Sequence, residues 1–463
     1  MQSIEYRKLL LATILLADVG FGTTMTLLGA ALGTVAEELS TSESTLAWTI
    51  TAPFLAMAVG APVLGKTGDV IGLRRVFRFG ITIFAAATLA SALAPNVWWL
   101  IGLRALAGIG ASASIPTGMA LLMREYGAQE RGRVLGWFHM VATGGPAVGL
   151  VTGGFIIDWL GWEAVFWIYG GLATVGALLA WTVVRPAPAQ DDVNVDVVGG
   201  LLLGAAALAL LIGLSAIERV GIVDWQPITF VVVAAALLVG FLRVEAQVAH
   251  PLLPLHFLRV PNFVRPLIGS FMLNSAYLGS LVLTPLLLQD HFGLSVGVSS
   301  ALLLLRPGSF SLMSIVGGRL IDRRGPRIAT LIGSSTMVLG MSLFVLGSWL
   351  ESLAVVLVAL VCTGTSFGLY APAATTTVAN TMDENDYGVA SGMLSTSGTL
   401  GATVGLQLMV LALGEAEVHP AADFIGGFAP GIAFGICAVI ASIGILASTT
   451  DEPAADQRAE SSA

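Results

Sequence analysis

The sequence predicts an all-α integral membrane protein: two six-helix bundles related by a parallel repeat, with an inserted two-helix hairpin between them, giving about fourteen transmembrane helices. Three observations support this fold class. Asp, Glu, Lys and Arg make up 11% of the 463 residues and apolar types 56%, whereas a soluble domain keeps roughly a quarter of its residues charged. Many apolar runs are long enough to span a bilayer, and motifs of the first half recur in the second.

The predicted spans follow from length, since a membrane helix needs about 20 mostly apolar residues. The first bundle has predicted spans at 9–34, 45–64, 77–95, 98–122, 134–157 and 163–184. The hairpin follows at 197–217 and 227–247, and the second bundle at 263–289, 296–317, 328–349, 351–378, 387–413 and 428–449. The predicted domains are therefore 1–184, 185–262 and 263–449, with a disordered cytoplasmic tail at 450–463.

Basic residues give the orientation, because cytoplasmic loops retain Lys and Arg. With fourteen spans, 18 of the 21 basic residues fall on one side. They are Arg7, Lys8, Lys66, Arg74, Arg75, Arg78, Arg124, Arg131, Arg133, Arg185, Arg243, Arg259, Arg265, Arg319, Arg323, Arg324, Arg327 and Arg458. We therefore expect a multi-pass protein of the inner cell membrane with both termini in the cytoplasm.

An internal repeat supports two bundles in the same orientation. One set of residues returns 253 positions later (322 − 69 = 253): Gly65, Asp69, Gly72 and Arg74 recur as Gly318, Asp322, Gly325 and Arg327. A second set returns 256 positions later: Gly108, Pro116, Gly132, Gly136, Gly145 and Gly149 recur as Gly364, Pro372, Gly388, Gly392, Gly401 and Gly405. Such duplication is typical of secondary transporters.

The first repeated set lies in a motif rich in glycine and arginine. The segment from Gly65 to Arg75, with Asp69, Gly72 and Arg74, resembles the loop motif G-x-L-A-D-R-x-G-R-R of the major facilitator superfamily. The second copy runs through Gly318, Asp322, Arg323, Gly325 and Arg327. The resemblance implies a latch in which the carboxylate caps a helix or pairs with arginine and favours one access state. The alternative is a basic loop that only fixes topology.

Two further motifs lie in predicted helices. Arg104, Gly108 and Gly110 resemble the R-x-x-x-G-x-G motif of the same superfamily, and Gly145, Pro146 and Gly149 resemble its antiporter motif G-P-x-x-G. Proline flanked by glycines gives a bendable, closely packing helix, which a rocking bundle can use. Simple helix packing is the alternative interpretation.

The central region resembles the fourteen-helix drug:proton antiporter family in particular. Asp196 to Gly199 opens the hairpin, Glu245 ends it, and the segment from His250 to Leu255 precedes Arg259. This resemblance implies proton-coupled efflux of lipophilic or cationic small molecules by a monomer without a cofactor. One departure concerns the first helix, where the alignment puts Thr24 in the place of the family's usual carboxylate.

Ionisable groups at bilayer depth are candidate functional residues, because each costs at least about 2.5 kcal/mol. Asp18, Arg104, His139 and Arg306 lie in predicted spans. We predict that Asp18 carries the coupling proton, that Arg104 tunes its charge and that His139 is a hydrogen-bonded packing residue. Arg306 is interpreted either as a partner across the interface or as a contact for an anionic substrate. The candidate cavity residues are Phe21, Thr24, Met25, Asn274, Tyr277 and Arg306.

Several other functions are disfavoured. Gly60 to Thr67 matches the nucleotide-binding pattern G-x-x-x-x-G-K-[ST], but it closes a membrane span instead of joining a strand to a helix, so no nucleotide is expected. No metal cluster, nucleophile with a base partner or nucleic-acid-binding patch is readable, so we expect a non-enzyme. The alternatives that stay open are a transporter of a defined metabolite, lipid or anion without the usual proton coupling, and a membrane sensor that has lost transport.

Overall fold

The computed structural model describes residues 2–445 apart from 31, 47, 186–196, 222–223, 249–254, 384–385 and 415–419. The predicted tail at 450–463, Asp196 and the segment from His250 to Pro254 lie outside these ranges. The side chains of Met25 and Asp69 also fall outside the described part, although the backbone of both residues is helical.

The described residues form helices, of which the long ones are labelled in chain order. They are α1 (Gln2–Ala30), α2 (Trp48–Ile71), α3 (Leu73–Ser91), α4 (Val97–Glu125), α5 (Ala128–Leu160), α6 (Glu163–Val183), α7 (Val197–Val220), α8 (Trp225–Glu245), α9 (Pro261–Leu286), α10 (Leu305–Arg324), α11 (Pro326–Trp349), α12 (Leu353–Thr381), α13 (Tyr387–Leu413) and α14 (Ala421–Ile443). Short helical segments lie at Leu32–Glu38, Glu43–Leu46, Leu255–Arg259, Leu287–His291 and Val296–Leu303.

The outer surface of these helices is apolar. Trp159, Leu178, Leu312 and Ile440 are each more than 60% exposed, as expected where lipid takes the place of water. Within the part of the chain that the structure describes, nine helices are long and apolar enough to cross a membrane. The molecule is therefore a multi-pass membrane protein, while the count of fourteen spans stays a prediction.

The repeated motif is helical over most of its length. α2 continues to Ile71 and α10 to Arg324, so the residues from Gly65 and from Gly318 onward belong to helix ends and not to an open loop. Each helix stops at a glycine with positive φ, Gly72 at 103° and Gly325 at 80°. That backbone conformation favours glycine, and it allows a one-residue turn into the next helix.

The helices pack in two groups that contact each other. α1 packs on α5 and α6, and α3 packs on α4, while α9 packs on α13 and α11 on α12. One apolar core combines residues of the first group, such as Phe77 and Leu122, with Val378 and Tyr387 of the second. In the hairpin, α7 packs on α2 and α13, and α8 packs on α7.

Candidate functional site

The two groups of helices meet along two equivalent crossings. α2 packs on α13, and α5 packs on α10. A side chain added at Gly65 would fall on the backbone of Gly388, and one added at Gly318 would fall on the backbone of Gly132. These are the glycines that the repeat relates, so both crossings use the same close helix approach.

The carboxylate of the second motif spans one of these crossings. Asp322, on α10, accepts hydrogen bonds from the backbone N–H of Arg133, on α5, at 3.2 and 3.1 Å. An added Cβ at Gly132 would lie 2.6 Å from the Asp322 Oδ1 atom, so glycine leaves the room that the carboxylate needs. Asp322 therefore joins the two groups. Its role as a latch stays a prediction, as does the role of Asp69.

The arginines that accompany the motif are divided between surface and helix ends. Arg75, Arg323 and Arg324 are exposed. Arg327 donates to the carbonyl of Ile443 at 3.3 Å, where α14 ends. A cation at a helix C-terminus is stabilising because the last carbonyls carry partial negative charge.

Lys66 makes an ion pair across the α2–α13 crossing. Its Nζ lies 4.0 Å from Oδ1 of Asp386, and the two side chains are 7% and 22% exposed. Arg74 is only partly buried. The first copy of the motif therefore contacts the opposite group through Lys66, a residue outside the conserved letters of the family pattern.

Arg131 joins four helix ends at the centre of this interface. Its guanidinium donates to backbone carbonyls, an amide oxygen and a phenol: Met123 O (2.9 Å), Tyr126 O (3.1 Å), Ala379 O (3.0 Å), Asn380 Oδ1 (2.9 Å) and Tyr387 Oη (2.6 Å). His139 Nε2 lies 3.2 Å from Thr375 Oγ1 and adds a second polar contact between α5 and α12. We call this region, including Asp322 and Lys66, the basic-end interface, because it lies at the end of the molecule that holds Arg75, Arg323 and Arg324.

The charged groups of α1 and α4 do not form a direct pair in the contacts that the structure describes. Arg104 is fully buried, donates from Nη2 to Thr24 Oγ1 at 3.2 Å and lies 5.6 Å from the ring centre of Phe166. Asp18 lies on α1 six residues before Thr24, about 9 Å away from it along the helix axis. Its Oδ2 is buried and makes no hydrogen bond with a described residue. Thr24 thus contacts the arginine from the position where the family has its carboxylate.

The motif of Gly145, Pro146 and Gly149 packs against this part of α1. A Cβ at Gly145 would lie 3.3 Å from Thr23 Oγ1, and one at Gly22 would lie 2.6 Å from Cγ of Pro146. Gly149 also faces Thr23. The motif therefore lets α5 approach α1 closely, beside Asp18 and Thr24, and Phe21 packs there against Phe54 and Phe84.

The candidate cavity residues of the C-terminal half lie in two separate places. Asn274 donates to the carbonyl of Ser270 at 2.8 Å and lies beside Gly398 of α13. Tyr277 and Arg306 instead contact each other: the guanidinium carbon of Arg306 lies 3.7 Å from the centre of the Tyr277 ring, and Nη2 donates to the Tyr277 carbonyl. Phe310 and Phe367 complete an aromatic group around Tyr277.

Comparison with known proteins decides the family. The family model described as Major Facilitator Superfamily matches residues 14–406. The chain belongs to this superfamily. It is therefore a membrane transporter, and transporters of the major facilitator superfamily carry small-molecule substrates.

Individual relatives are similar over most of this major facilitator chain. The multidrug resistance protein Stp of Mycobacterium tuberculosis (strain CDC 1551 / Oshkosh) is 26% identical over 380 residues, which cover 82% of this chain and 71% of Stp. The puromycin resistance protein pur8 of Streptomyces alboniger is 32% identical over 330 residues, or 67% of this chain and 65% of pur8. The structure of the proton:xylose symporter XylE bound to 6-bromo-6-deoxy-D-glucose has a TM-score of 0.69 at 13% identity, covers 95% of both chains and shares the fold.

The sequence pattern does not single out several residues that make these contacts. It includes Arg131 only among the basic residues that give the orientation, and it assigns no contact to Lys66. Asp386, Phe310 and Phe367 carry no local signal. Their partners lie far away in sequence: Arg131 contacts Asn380, 249 residues later. The repeat held one usable signal, since Arg131 and Tyr387 occupy equivalent positions (387 − 131 = 256).

Proposed function

We propose that this major facilitator is a proton-coupled secondary exporter of lipophilic or cationic small molecules, acting as a monomer by alternating access. The observation that carries the proton coupling is Asp18, whose buried Oδ2 lacks a hydrogen-bond partner among the described residues. A carboxylate in such a place gains by binding a proton, because burial without a partner disfavours the charge. Relatives named for multidrug and puromycin resistance support the substrate class.

Alternating access requires an interface that opens and closes. The basic-end interface is suited to this role because its contacts are polar and lie at one end of α5, α10, α12 and α13. We place this end in the cytoplasm, on the basis of the basic-residue asymmetry. The described conformation is then closed towards the cytoplasm, and rocking of the bundles breaks the bonds of Arg131 and Asp322 to expose the cavity.

Coupling follows if proton and substrate binding exclude each other. Protonation of Asp18 from the outer side removes a charge from the first bundle and favours the return to the cytoplasm-facing state. Release of that proton inside restores a carboxylate, which attracts a cationic substrate. Thr24 holds the guanidinium of Arg104 at a level of α1 that is about two helical turns from Asp18. This fixed positive charge favours the ionised form of Asp18 and thereby release of its proton.

Accumulation of ethidium in cells tests this function. Cells that produce the protein should hold less ethidium than cells that lack it, and a protonophore should abolish the difference. A matched variant, Asp18→Asn, should accumulate ethidium as if the protein were absent while reaching the membrane in normal amount. Equal accumulation in all strains, or efflux that persists after collapse of the proton gradient, would contradict proton-driven export.

A second candidate function is favoured by Thr24 and Arg306. With Thr24 in the usual place of the carboxylate and a buried cation in the C-terminal bundle, the chain is also suited to carry an anionic metabolite without the usual proton coupling. Transport of an organic anion that is indifferent to the protonophore would support this alternative.

A further inference from the structure

Arg306 lies in the first turn of α10 and is 1% exposed. Its backbone is held in place by α12, since a side chain at Gly364 would overlap the Arg306 carbonyl. Nη2 donates to the carbonyl of Tyr277 on α9. The guanidinium is therefore fixed between three helices of the C-terminal bundle.

The remaining donors of this guanidinium are not used within the described residues. Nε and Nη1 are buried and make no hydrogen bond there. The ion pairs that the structure describes join other residues, Arg7, Lys66 and Arg133 to their acidic partners. A charge at bilayer depth costs at least about 2.5 kcal/mol, and arginine stays protonated in proteins. The bundle thus holds a cation whose counter-charge the described residues do not supply.

Aromatic rings surround this cation on the side of α9 and α12. The Tyr277 ring faces the guanidinium at 3.7 Å, a distance at which a cation–π contact is favourable. Phe367 lies 4.7 Å from Tyr277, and Phe310 lies 5.3 Å from Phe367, measured between ring centres. Tyr277 and Phe367 are partly exposed, so an aromatic ligand can reach their edges.

We propose that Arg306, Tyr277, Phe310 and Phe367 form a binding site for an amphipathic organic anion that carries an aromatic ring. The carboxylate or sulfonate of the ligand accepts hydrogen bonds from Nε or Nη1 of Arg306, and the ring packs against Phe367 and Tyr277. Charge-assisted hydrogen bonds of this kind are about twice as strong as neutral ones, particularly where water is excluded. This inference rests on the proposed transport function and extends its substrates from lipophilic cations to aromatic anions.

Two probes of equal shape and different charge test the site. Purified full-length protein in detergent is titrated by calorimetry with 2-naphthoate, an anion, and with 2-naphthamide, its neutral counterpart. Wild type should bind naphthoate about tenfold more tightly, the factor expected for a charge-assisted hydrogen bond. Arg306→Gln should lose this preference and bind both probes like the amide, whereas Arg319→Gln, which removes an exposed arginine on the same helix, should keep it.

Further variants separate the site from a merely structural role of Arg306. Phe367→Leu removes a ring against which both probes pack and should weaken the binding of both probes to the same extent. Should Arg306→Gln fail to fold, Arg306→Lys and Phe367→Leu still give the comparison. Equal affinity of wild type for the two probes, or an unchanged naphthoate preference in Arg306→Gln, would overturn the inference.

Ethidium export by the same variants distinguishes this inference from the proposed function. If wild type exports ethidium but does not prefer naphthoate, the anion site is wrong and the exporter stands. If wild type prefers naphthoate in an Arg306-dependent manner but exports nothing under a proton gradient, the site stands as a binding site and proton-driven export is wrong.

Discussion

Arg131 and Tyr387 occupy equivalent positions in the two repeats and contact each other. They are 256 residues apart, and Nη2 of Arg131 donates to the Tyr387 hydroxyl at 2.6 Å. The same guanidinium donates to the carbonyls of Met123 and Ala379, which are also 256 residues apart (379 − 123 = 256). One arginine therefore donates to equivalent carbonyls of both repeats.

Arg131→Gln should open the basic-end interface. Five hydrogen bonds disappear, and each buried carbonyl left without a partner costs about 1–3 kcal/mol. Spin labels at Gln129 and Asp383, exposed positions on the two sides of the interface, should report longer distances by double electron–electron resonance. Arg75→Gln, at an exposed site, is the control. A distance distribution identical to wild type would show that Arg131 does not hold the interface closed.

Exchange of the charges of Lys66 and Asp386 should restore a function that each single change impairs. Their ion pair is largely buried, and removal of one partner of such a pair costs about 3–5 kcal/mol. Lys66→Asp and Asp386→Lys should each reduce ethidium export, and the double variant should recover part of it. The exposed pair of Arg7 and Glu130 provides the comparison, because Arg7→Met should change export little. Additive losses in the double variant would contradict a pairing role.

Thr24→Val should lower the melting temperature of the purified protein. The change keeps the shape of the side chain but removes the hydroxyl that accepts from Arg104 at 3.2 Å, and the loss of one hydrogen bond to a buried charged group costs about 1–3 kcal/mol. Thr24→Ser keeps the hydroxyl and should melt close to wild type. If the valine and serine variants melt at the same temperature, the contact contributes nothing.

Cysteine labelling should place the basic-end interface in the cytoplasm. In a background with Cys362→Ser and Cys437→Ser, an impermeant thiol reagent should label Gln226→Cys from outside intact cells and Arg75→Cys only after permeabilisation. Both positions are exposed. Labelling of Arg75→Cys in intact cells would reverse the orientation.

The sequence predicts which glycines are equivalent, but it does not predict which polar side chains contact each other beside them. Spacing alone relates the glycines that form the two crossings, which are Gly65, Gly132, Gly318 and Gly388. They lie there because equivalent helices of a duplicated fold meet through small residues. The partner of Arg131 required a contact between residues 249 apart, which a pattern of local hydrophobicity does not contain. The span predicted at 45–64 stops before the helix does, because Lys66 and Asp69 interrupt the apolar run although the helix continues to Ile71.

The separation of the two intramembrane charges follows from the sequence. Asp18 and Arg104 are the ionisable groups of the first and fourth helices, and a rise of about 1.5 Å per residue puts them about 10 Å apart along the membrane normal, too far for a direct salt bridge. Arg104 lies at the depth of Thr24, about 9 Å along α1 from Asp18. The resemblance puts Thr24 in the place of the family's carboxylate. The hydrogen bond from Arg104 shows what Thr24 does there, since its hydroxyl accepts from the buried guanidinium.

Proton movement in proteoliposomes tests the central proposal, coupling through Asp18, most directly. Purified protein is reconstituted with trapped pyranine, a step of ethidium is added outside, and the lumenal pH is followed. Wild type should change the lumenal pH as ethidium exchanges for protons, and Asp18→Asn should bind ethidium without moving protons. Proton movement by Asp18→Asn equal to that of wild type would contradict the account.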